Sequence, residues 1–168
     1  MTSQEQAVVA RLRELAIPFT RHEHPPAATV EQAEQYWADI DATHCKNLFL
    51  RNQKGTRHYL VILVAAKKAD LRAVADQIGD GKLSFASPER MMTHLGLAPG
   101  SVSPFGLIHD RDRQVRVALD RDLKSASRQV GQSAFGGRPS SSPPGKVIQS
   151  PSTVCGDSCA SSLILWRV

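Results

Sequence analysis

Lys46 and Asn47 are the residues whose types and position first suggest chemistry. They precede an apolar run, Leu48 to Leu50, that predicts a strand covered on both faces. An ammonium group is costly to bury without a partner, so two interpretations stay open. Lys46 either lies at the surface, where the strand begins, with its charge in water, or points into a polar cleft and orients a substrate.

The loop over residues 99–104 (PGSVSP) is the second candidate, bounded by Gly100 and Pro104. Such a loop can present consecutive backbone N–H groups to a carbonyl or oxyanion, or it can be an ordinary connection. Ser101 and Ser103 have no base nearby in sequence, and the chain has no nucleophile elbow, HExxH or GxxxxGKS/T motif. We expect Lys46 to share a cleft with this loop, which would orient an ester or phosphate without a covalent enzyme intermediate.

His22 and His24 would share one face of a predicted strand, which raises a metal site as an alternative. No cysteine or acidic residue joins them at a characteristic spacing. Cys155 and Cys159 are four residues apart, so we interpret them as free thiols. We therefore expect neither a metal nor another cofactor.

Net charge and length narrow the class of protein. The 168 residues fit one domain, and 21 basic against 16 acidic residues leave +5. Because 4 of the basic and only 1 of the acidic residues lie from Arg128 onward, the first 127 residues carry only +2. That balance disfavours a dedicated DNA binder, although a local contact with an RNA end stays open. No signal peptide, no membrane-length apolar run and only three cysteines predict a cytoplasmic protein.

Periodicity and capping signals predict the elements that position these candidates. The predicted helices cover residues 3–16, 29–40, 71–78 and 88–95. The predicted strands cover residues 19–22, 45–50, 59–64, 82–85, 105–108 and 115–119, with hairpins joining 45–50 to 59–64 and 105–108 to 115–119. We expect an α+β fold, with a mixed, largely antiparallel sheet and short flanking helices.

The composition changes after Leu123. Between residues 133 and 153, 13 of 21 positions are Ser, Pro or Gly, a composition typical of a segment that does not bury a core. We divide the chain into a domain at residues 1–124 and an atypical tail at residues 125–168. The tail is either disordered or the product of a shifted reading frame near codon 125.

Four stretches together resemble the YbaK-like aminoacyl-tRNA editing domains, and most closely the freestanding prolyl-tRNA editing proteins. They are residues 21–26 (RHEHPP), 29–33 (TVEQA), 45–50 (CKNLFL) and 97–107 (LAPGSVSPFGL). The resemblance covers residues 3–124. It implies hydrolysis of the ester that joins a wrong amino acid to the terminal ribose of tRNA, with alanyl-tRNA(Pro) as the expected substrate.

The same resemblance implies residue roles. It makes Lys46 the family's signature lysine, and residues 100–104 the GxxxP loop whose backbone holds the substrate carbonyl. We assign catalysis to Lys46, Gly100, Ser101 and Val102, and substrate binding to Thr29, Asn47, Ser103, Pro104 and His24.

One family motif is missing. Its His-Pro-x-x-Asn-Thr-Ala-Thr segment has no counterpart after Leu123. Two functions therefore stay open: a trans-editing hydrolase acting on mischarged tRNA, or a tRNA-binding relative that keeps the fold without turnover. No DNA or membrane partner is expected.

Overall fold

The computed structural model describes residues 3–24, 40, 42–124, 128–133, 145–151 and 163–167. The helix predicted over residues 29–40 falls, apart from its last residue, outside this described part. Helices in the described part are α1 (Ser3–Glu14), α2 (Leu71–Ile78), α3 (Pro88–Leu95), a 3-10 helix η1 (Pro104–His109) and α4 (Arg121–Lys124). Strands are β1 (Thr20–His24), β2 (Thr43–Asn52), β3 (His58–Val64), β4 (Leu83–Phe85), β5 (Val115–Asp120), β6 (Arg128–Ser133), β7 (Gly145–Pro151) and β8 (Leu163–Arg167).

The strands form one mixed sheet in the order β1-β7-β6-β2-β3-β5-β8, with β4 paired to β2. β2 and β3 form the predicted antiparallel hairpin, with Lys46 opposite Leu63. β5 runs parallel to β3, and β6 runs parallel to β2. The remaining pairings are antiparallel, so the predicted α+β fold with a mixed, largely antiparallel sheet is confirmed.

The side chain of a single buried asparagine, Asn52, stabilises the β2–β3 turn. The Asn52 side-chain oxygen accepts hydrogen bonds from the N–H groups of Thr56 and Arg57 at 3.0 and 3.2 Å. Gly55 adopts φ +68°, a left-handed conformation that glycine takes without steric cost. The turn predicted at residues 52–55 is therefore confirmed.

Side chains of β2 alternate between two apolar layers. Phe49 packs with α3 and η1 on one side of the sheet, which we call the α3 face. Leu48 and Leu50 pack with α2 on the other side, the α2 face. The predicted caps are present as well: the Asp70 carboxylate accepts from two N–H groups at the start of α2, and Ser87 caps α3. No helix in the part of the chain that the structure describes is long and apolar enough to cross a membrane.

The strand predicted at residues 105–108 is wrong, and so is its hairpin with residues 115–119. These residues form η1, which begins at Pro104, with the Ser103 side-chain oxygen accepting from the N–H of Phe105 at 3.3 Å. Gly106 lies against Leu95, whose Cβ would be 2.8 Å from an added Cβ. A short apolar run does not distinguish a strand from a helical turn, and here the cap and the close contact decide.

Three stretches of the predicted tail join the sheet. β6 pairs with the start of β2, β7 lies between β6 and β1, and β8 covers the edge of β5. These pairings occupy strand edges that β2 and β5 would otherwise leave open to another hydrogen-bonding partner. The division of the chain at residue 124 and the shifted frame stay predictions about the tail's origin.

Candidate functional site

Asn47 connects the β2 motif to the GxxxP loop. Strand alternation places Asn47 on the α3 face, together with Cys45 and Phe49. The Asn47 side-chain Nδ2 donates a hydrogen bond to the main-chain oxygen of Val102 at 3.1 Å. Its Oδ1 is buried and has no hydrogen-bond partner within the described residues. The carboxamide thus holds the loop and keeps a buried acceptor beside it.

The loop itself is shaped by backbone geometry. Gly100 has φ +83°, in the left-handed region, with open space where a Cβ would lie. The N–H of Ser101 donates to the oxygen of Ala98 at 3.1 Å. Ser101 and Ser103 are both buried, and the Ser103 hydroxyl caps η1. This geometry orients the main chain of the loop and does not present its hydroxyl groups to solvent.

Lys46 lies on the other side of the sheet from the loop. Its Nζ donates to the main-chain oxygen of Ala65 at 3.1 Å and to that of Lys67. We expected Lys46 to share a cleft with the loop, but the structure places the two on opposite faces of the sheet. The reason is the two-residue period of a strand: Lys46 and Asn47 are consecutive, so their side chains point to opposite faces.

The turn that holds Lys46 is itself fixed by a buried carboxylate. Asp120, 1% exposed, accepts from the N–H of Val64 at 3.2 Å and from Lys67 Nζ at 2.7 Å. Lys67 also bridges to Asp122 at 2.7 Å. Burial raises the pKa of Asp120, but the hydrogen bonds from Lys67 and from the N–H groups of Asp122 and Val64 outweigh it and hold the pKa below its ordinary value. Sequence reasoning missed this network; two aspartates directly after an apolar strand were the available signal.

Cys45 is not a nucleophile in this setting. Burial, and then the charge of Asp120, raise the pKa of the Cys45 thiol to about 11. The thiol donates to the oxygen of Thr43 at 3.5 Å. A thiol with this pKa stays protonated near neutral pH, so it is not the nucleophilic thiolate.

A second cluster, with the buried His58 at its centre, lies at the far end of β2. The His58 ring stacks on Phe49, with ring centroids 5.7 Å apart, and contacts the His94 ring at 4.1 Å. Arg90 lies 2.8 Å from His58 Nε2 and also donates to the oxygen of Gly55 at 2.7 Å. Burial first, then the charges of His94 and Arg90, lower the pKa of His58 to about 4. This cluster joins α3 to the β2–β3 turn, and no motif in the sequence pointed to it.

Three further residues were predicted to bind substrate: Pro104, Thr29 and His24. Pro104 opens η1, and Thr29 lies outside the described residues. His24 ends β1, where its backbone pairs with Gly145. Nowhere in the described ranges do three or more His, Cys, Asp or Glu side chains group as metal ligands would.

The mixed sheet with the Asn47–loop contact places the chain in a known class. Residues 24–134 match the family model of the aminoacyl-tRNA editing domain, and the chain belongs to that family. The match runs ten residues past the limit of 124 that the motifs suggested.

Individual relatives agree with this assignment. Over 123 residues the chain is 44% identical to the prolyl-tRNA editing protein ProX of Acetoanaerobium sticklandii. This alignment covers 73% of this chain and 75% of that protein. It is 34% identical over 116 residues to the prolyl-tRNA synthetase associated domain-containing protein 1 of Bos taurus, covering 68% and 67%. A solved structure of a candidate trans-editing enzyme for prolyl tRNA synthetase superposes with a TM-score of 0.62, at 23% identity and with 89% and 87% coverage, which shows the shared fold.

Proposed function

We propose that this protein is an aminoacyl-tRNA deacylase that hydrolyses the ester of mischarged tRNA in trans, with alanyl-tRNA(Pro) as its substrate. The observation that carries the proposal is the hydrogen bond from Asn47 to Val102, which joins two of the family's motifs at one point of the fold. The printed names of the relatives, prolyl-tRNA editing and prolyl-tRNA synthetase associated proteins, support the substrate class. A cytoplasmic location follows from this substrate.

The loop's main chain would hold the scissile carbonyl. In the proposed complex, backbone N–H groups at Val102 and Ser103 point to the ester oxygen and stabilise the charge that develops there. Asn47 acts through Val102 by fixing the loop before substrate arrives. Such preorganised donors cost no rearrangement during the reaction, which is why they lower its barrier.

A water molecule would be the nucleophile. Cys45 is protonated, and the hydroxyls of Ser101 and Ser103 are buried, so none of these three side chains is suited to form an acyl-enzyme. Water adds to the ester carbon and loses a proton, the carbon–oxygen bond to the ribose breaks, and the ribose oxygen takes up a proton. Free amino acid and uncharged tRNA result, and a hydroxyl of the substrate's ribose is the proposed aid in activating the water.

Lys46 is proposed to hold the tRNA end. Two main-chain oxygens, of Ala65 and Lys67, fix its ammonium group, which carries three N–H donors. The remaining donor and the positive charge suit a phosphate or ribose oxygen of the 3′ end. Its position on the face opposite the loop means that the tRNA end passes around the beginning of β2.

The alternative is a tRNA-binding relative without turnover. The absent His-Pro-x-x-Asn segment favours it, because this segment lines the pocket in the family that the chain resembles. Both alternatives predict tRNA binding, and only the first predicts deacylation.

Deacylation of alanyl-tRNA(Pro), measured alongside tRNA binding, separates the two alternatives. Lys46→Ala should lower the rate on the order of 100-fold or more while the fold is retained. Lys68→Ala is the matched control, since Lys68 is an exposed lysine that directly follows Lys67, one of the two partners of Lys46. Binding without hydrolysis by the parent protein supports the alternative; equal rates for Lys46→Ala and the parent refute the role of Lys46.

A further inference from the structure

The ammonium group of Lys46 is held by the turn that follows β3. Its two acceptors, the main-chain oxygens of Ala65 and Lys67, both belong to this turn. The turn is closed by a hydrogen bond from the N–H of Lys67 to the oxygen of Val64 at 3.1 Å, and the N–H of Ala65 donates to the oxygen of His44 on β2 at 2.8 Å. Main-chain oxygens move only with the backbone, so the conformation of this turn sets the position of the Lys46 charge.

Asp120, the last residue of β5, holds both ends of the turn with one carboxylate. Its Oδ2 accepts from the N–H of Val64 at 3.2 Å, and its Oδ1 accepts from Lys67 Nζ at 2.7 Å. Oδ1 also accepts from the N–H of Asp122 at 3.2 Å. The Asp120 side chain is only 2% exposed, so water does not compete for these contacts. The turn is therefore fixed from the neighbouring strand by a buried charge.

Two ammonium groups meet at Lys67, and the carboxylates neutralise only one of them. The side chain of Lys67 bridges Asp120 and Asp122, both at 2.7 Å, while its main-chain oxygen accepts from Lys46. Like charges that converge on one residue repel each other, and the two carboxylates offset this repulsion. In the described part of the chain no carboxylate pairs with Lys46. Its charge is thus oriented by neutral oxygens and stays available to an anion.

We propose that Asp120 is a positioning residue for Lys46: by fixing Val64 and Lys67 it sets the point at which the Lys46 ammonium group meets the 3′ end of tRNA. The inference rests on the proposed function, which gives Lys46 this contact. Asp120 is buried and acts through the turn, without touching substrate. Its effect on the rate is expected to be large, because misplacing a reacting group by about 1 Å can cost about 100-fold.

A double-mutant cycle on deacylation of alanyl-tRNA(Pro) tests this role. Asp120→Asn keeps the size of the side chain and removes the charge that binds Lys67, so the rate should fall by about 10-fold or more. In the Lys46→Ala background the same substitution should change the rate by less than about twofold, because the group that it positions is absent. A role confined to folding would lower both rates by the same factor.

The matched control is a second aspartate on the same strand. The Asp110 carboxylate accepts from the N–H groups of Gln114 and Val115 at 3.0 and 2.7 Å, where β5 begins. Asp110→Asn thus removes a carboxylate that also holds two main-chain donors, at the end of β5 remote from Asp120. Its effect on the rate should be the same factor in the parent and in the Lys46→Ala background.

Lys67 supplies a second pair of variants, which keep the main-chain oxygen that binds Lys46. Its side chain is 40% exposed, so substitution there does not open a core cavity. Lys67→Met removes the bridge to the carboxylates and should lower the rate as Asp120→Asn does. Lys67→Arg can bridge both carboxylates and should restore most of the parent rate. These variants replace Asp120→Asn in every measurement if that variant does not fold.

Solution NMR of the lysine ammonium groups follows Lys46 without turnover. The Lys46 signal, identified by its loss in Lys46→Ala, should be protected from exchange with water in the parent and in Asp110→Asn. In Asp120→Asn it should broaden or disappear, because the hydrogen bonds to Ala65 and Lys67 weaken. A Lys46 signal that is unprotected in the parent, or unchanged in Asp120→Asn, overturns the inference.

The outcomes separate failure of this inference from failure of the proposed function. If the parent deacylates alanyl-tRNA(Pro) and Asp120→Asn lowers the rate equally with and without Lys46, the positioning role is wrong and the function stands. If the parent does not deacylate this substrate, the proposed function fails, and the response of the Lys46 signal decides the positioning role by itself.

Discussion

Acidification should destabilise this protein through His58. The ring is 5% exposed, contacts the rings of Phe49 and His94, and has its Nε2 2.8 Å from the Arg90 guanidinium, so a proton on it is disfavoured. Its pKa is about 4 in the folded protein, against 6.5 ordinarily. The unfolded chain therefore binds a proton at a pH where the folded protein does not, and protonation favours unfolding.

The magnitude follows from these two values. The contribution of His58 to stability is fully present above pH 6.5 and is lost as the pH falls towards 4. Each unit of pKa shift corresponds to 1.36 kcal/mol, so the loss between pH 7 and pH 4.5 is about 2.5 kcal/mol. A loss of this size is a large fraction of the stability of a typical domain.

Urea unfolding followed at a series of pH values measures this loss. His58→Gln keeps a hydrogen-bond acceptor near Arg90 and removes the titration, so its free energy of unfolding should fall by about 2.5 kcal/mol less than the parent's over the same range. His109→Gln, at an exposed histidine outside the cluster, should follow the parent. If His58→Gln and the parent lose stability in parallel, the buried neutral ring is not the cause and the argument fails.

Three further predictions concern the loop, η1 and the tail. Gly100→Val, which forces a β-branched residue to φ +83°, should reduce deacylation more than Ser101→Ala or Ser103→Ala; loss of hydrolysis in either serine variant would instead point to a serine nucleophile. Gly106→Val should lower the free energy of unfolding in urea by about 1–3 kcal/mol, because a Cβ there would lie 2.8 Å from that of Leu95; an unchanged midpoint would contradict the packing. Translation of the other two reading frames downstream of codon 125 should recover a His-Pro-x-x-Asn segment followed by an amphipathic helix, and absence of such a segment in both frames would mean that the tail belongs to the protein.

Local signals in the sequence were sufficient for most elements. Asp70 and Ser87 begin their helices because a short side-chain oxygen satisfies N–H groups two or three residues onward, a contact that depends on neighbouring residues alone. Asn52 closes its turn for the same reason. The apolar runs of β2 and β3, joined by that turn, were enough to predict their hairpin. The motif at Lys46 and the GxxxP loop were likewise readable as a family pattern.

Other features depended on which distant segments meet. The run after Pro104 became a 3-10 helix because Gly106 packs against Leu95, and β5 joined β3 in parallel, a pairing that requires a long crossover connection. The Asn47–Val102 contact spans 55 positions, and the Lys67–Asp120 pair spans 53. Caps and turns are made within a few residues, so their signals are local, whereas strand partners and buried ion pairs are selected by the packing of the whole domain, which no short window of sequence contains.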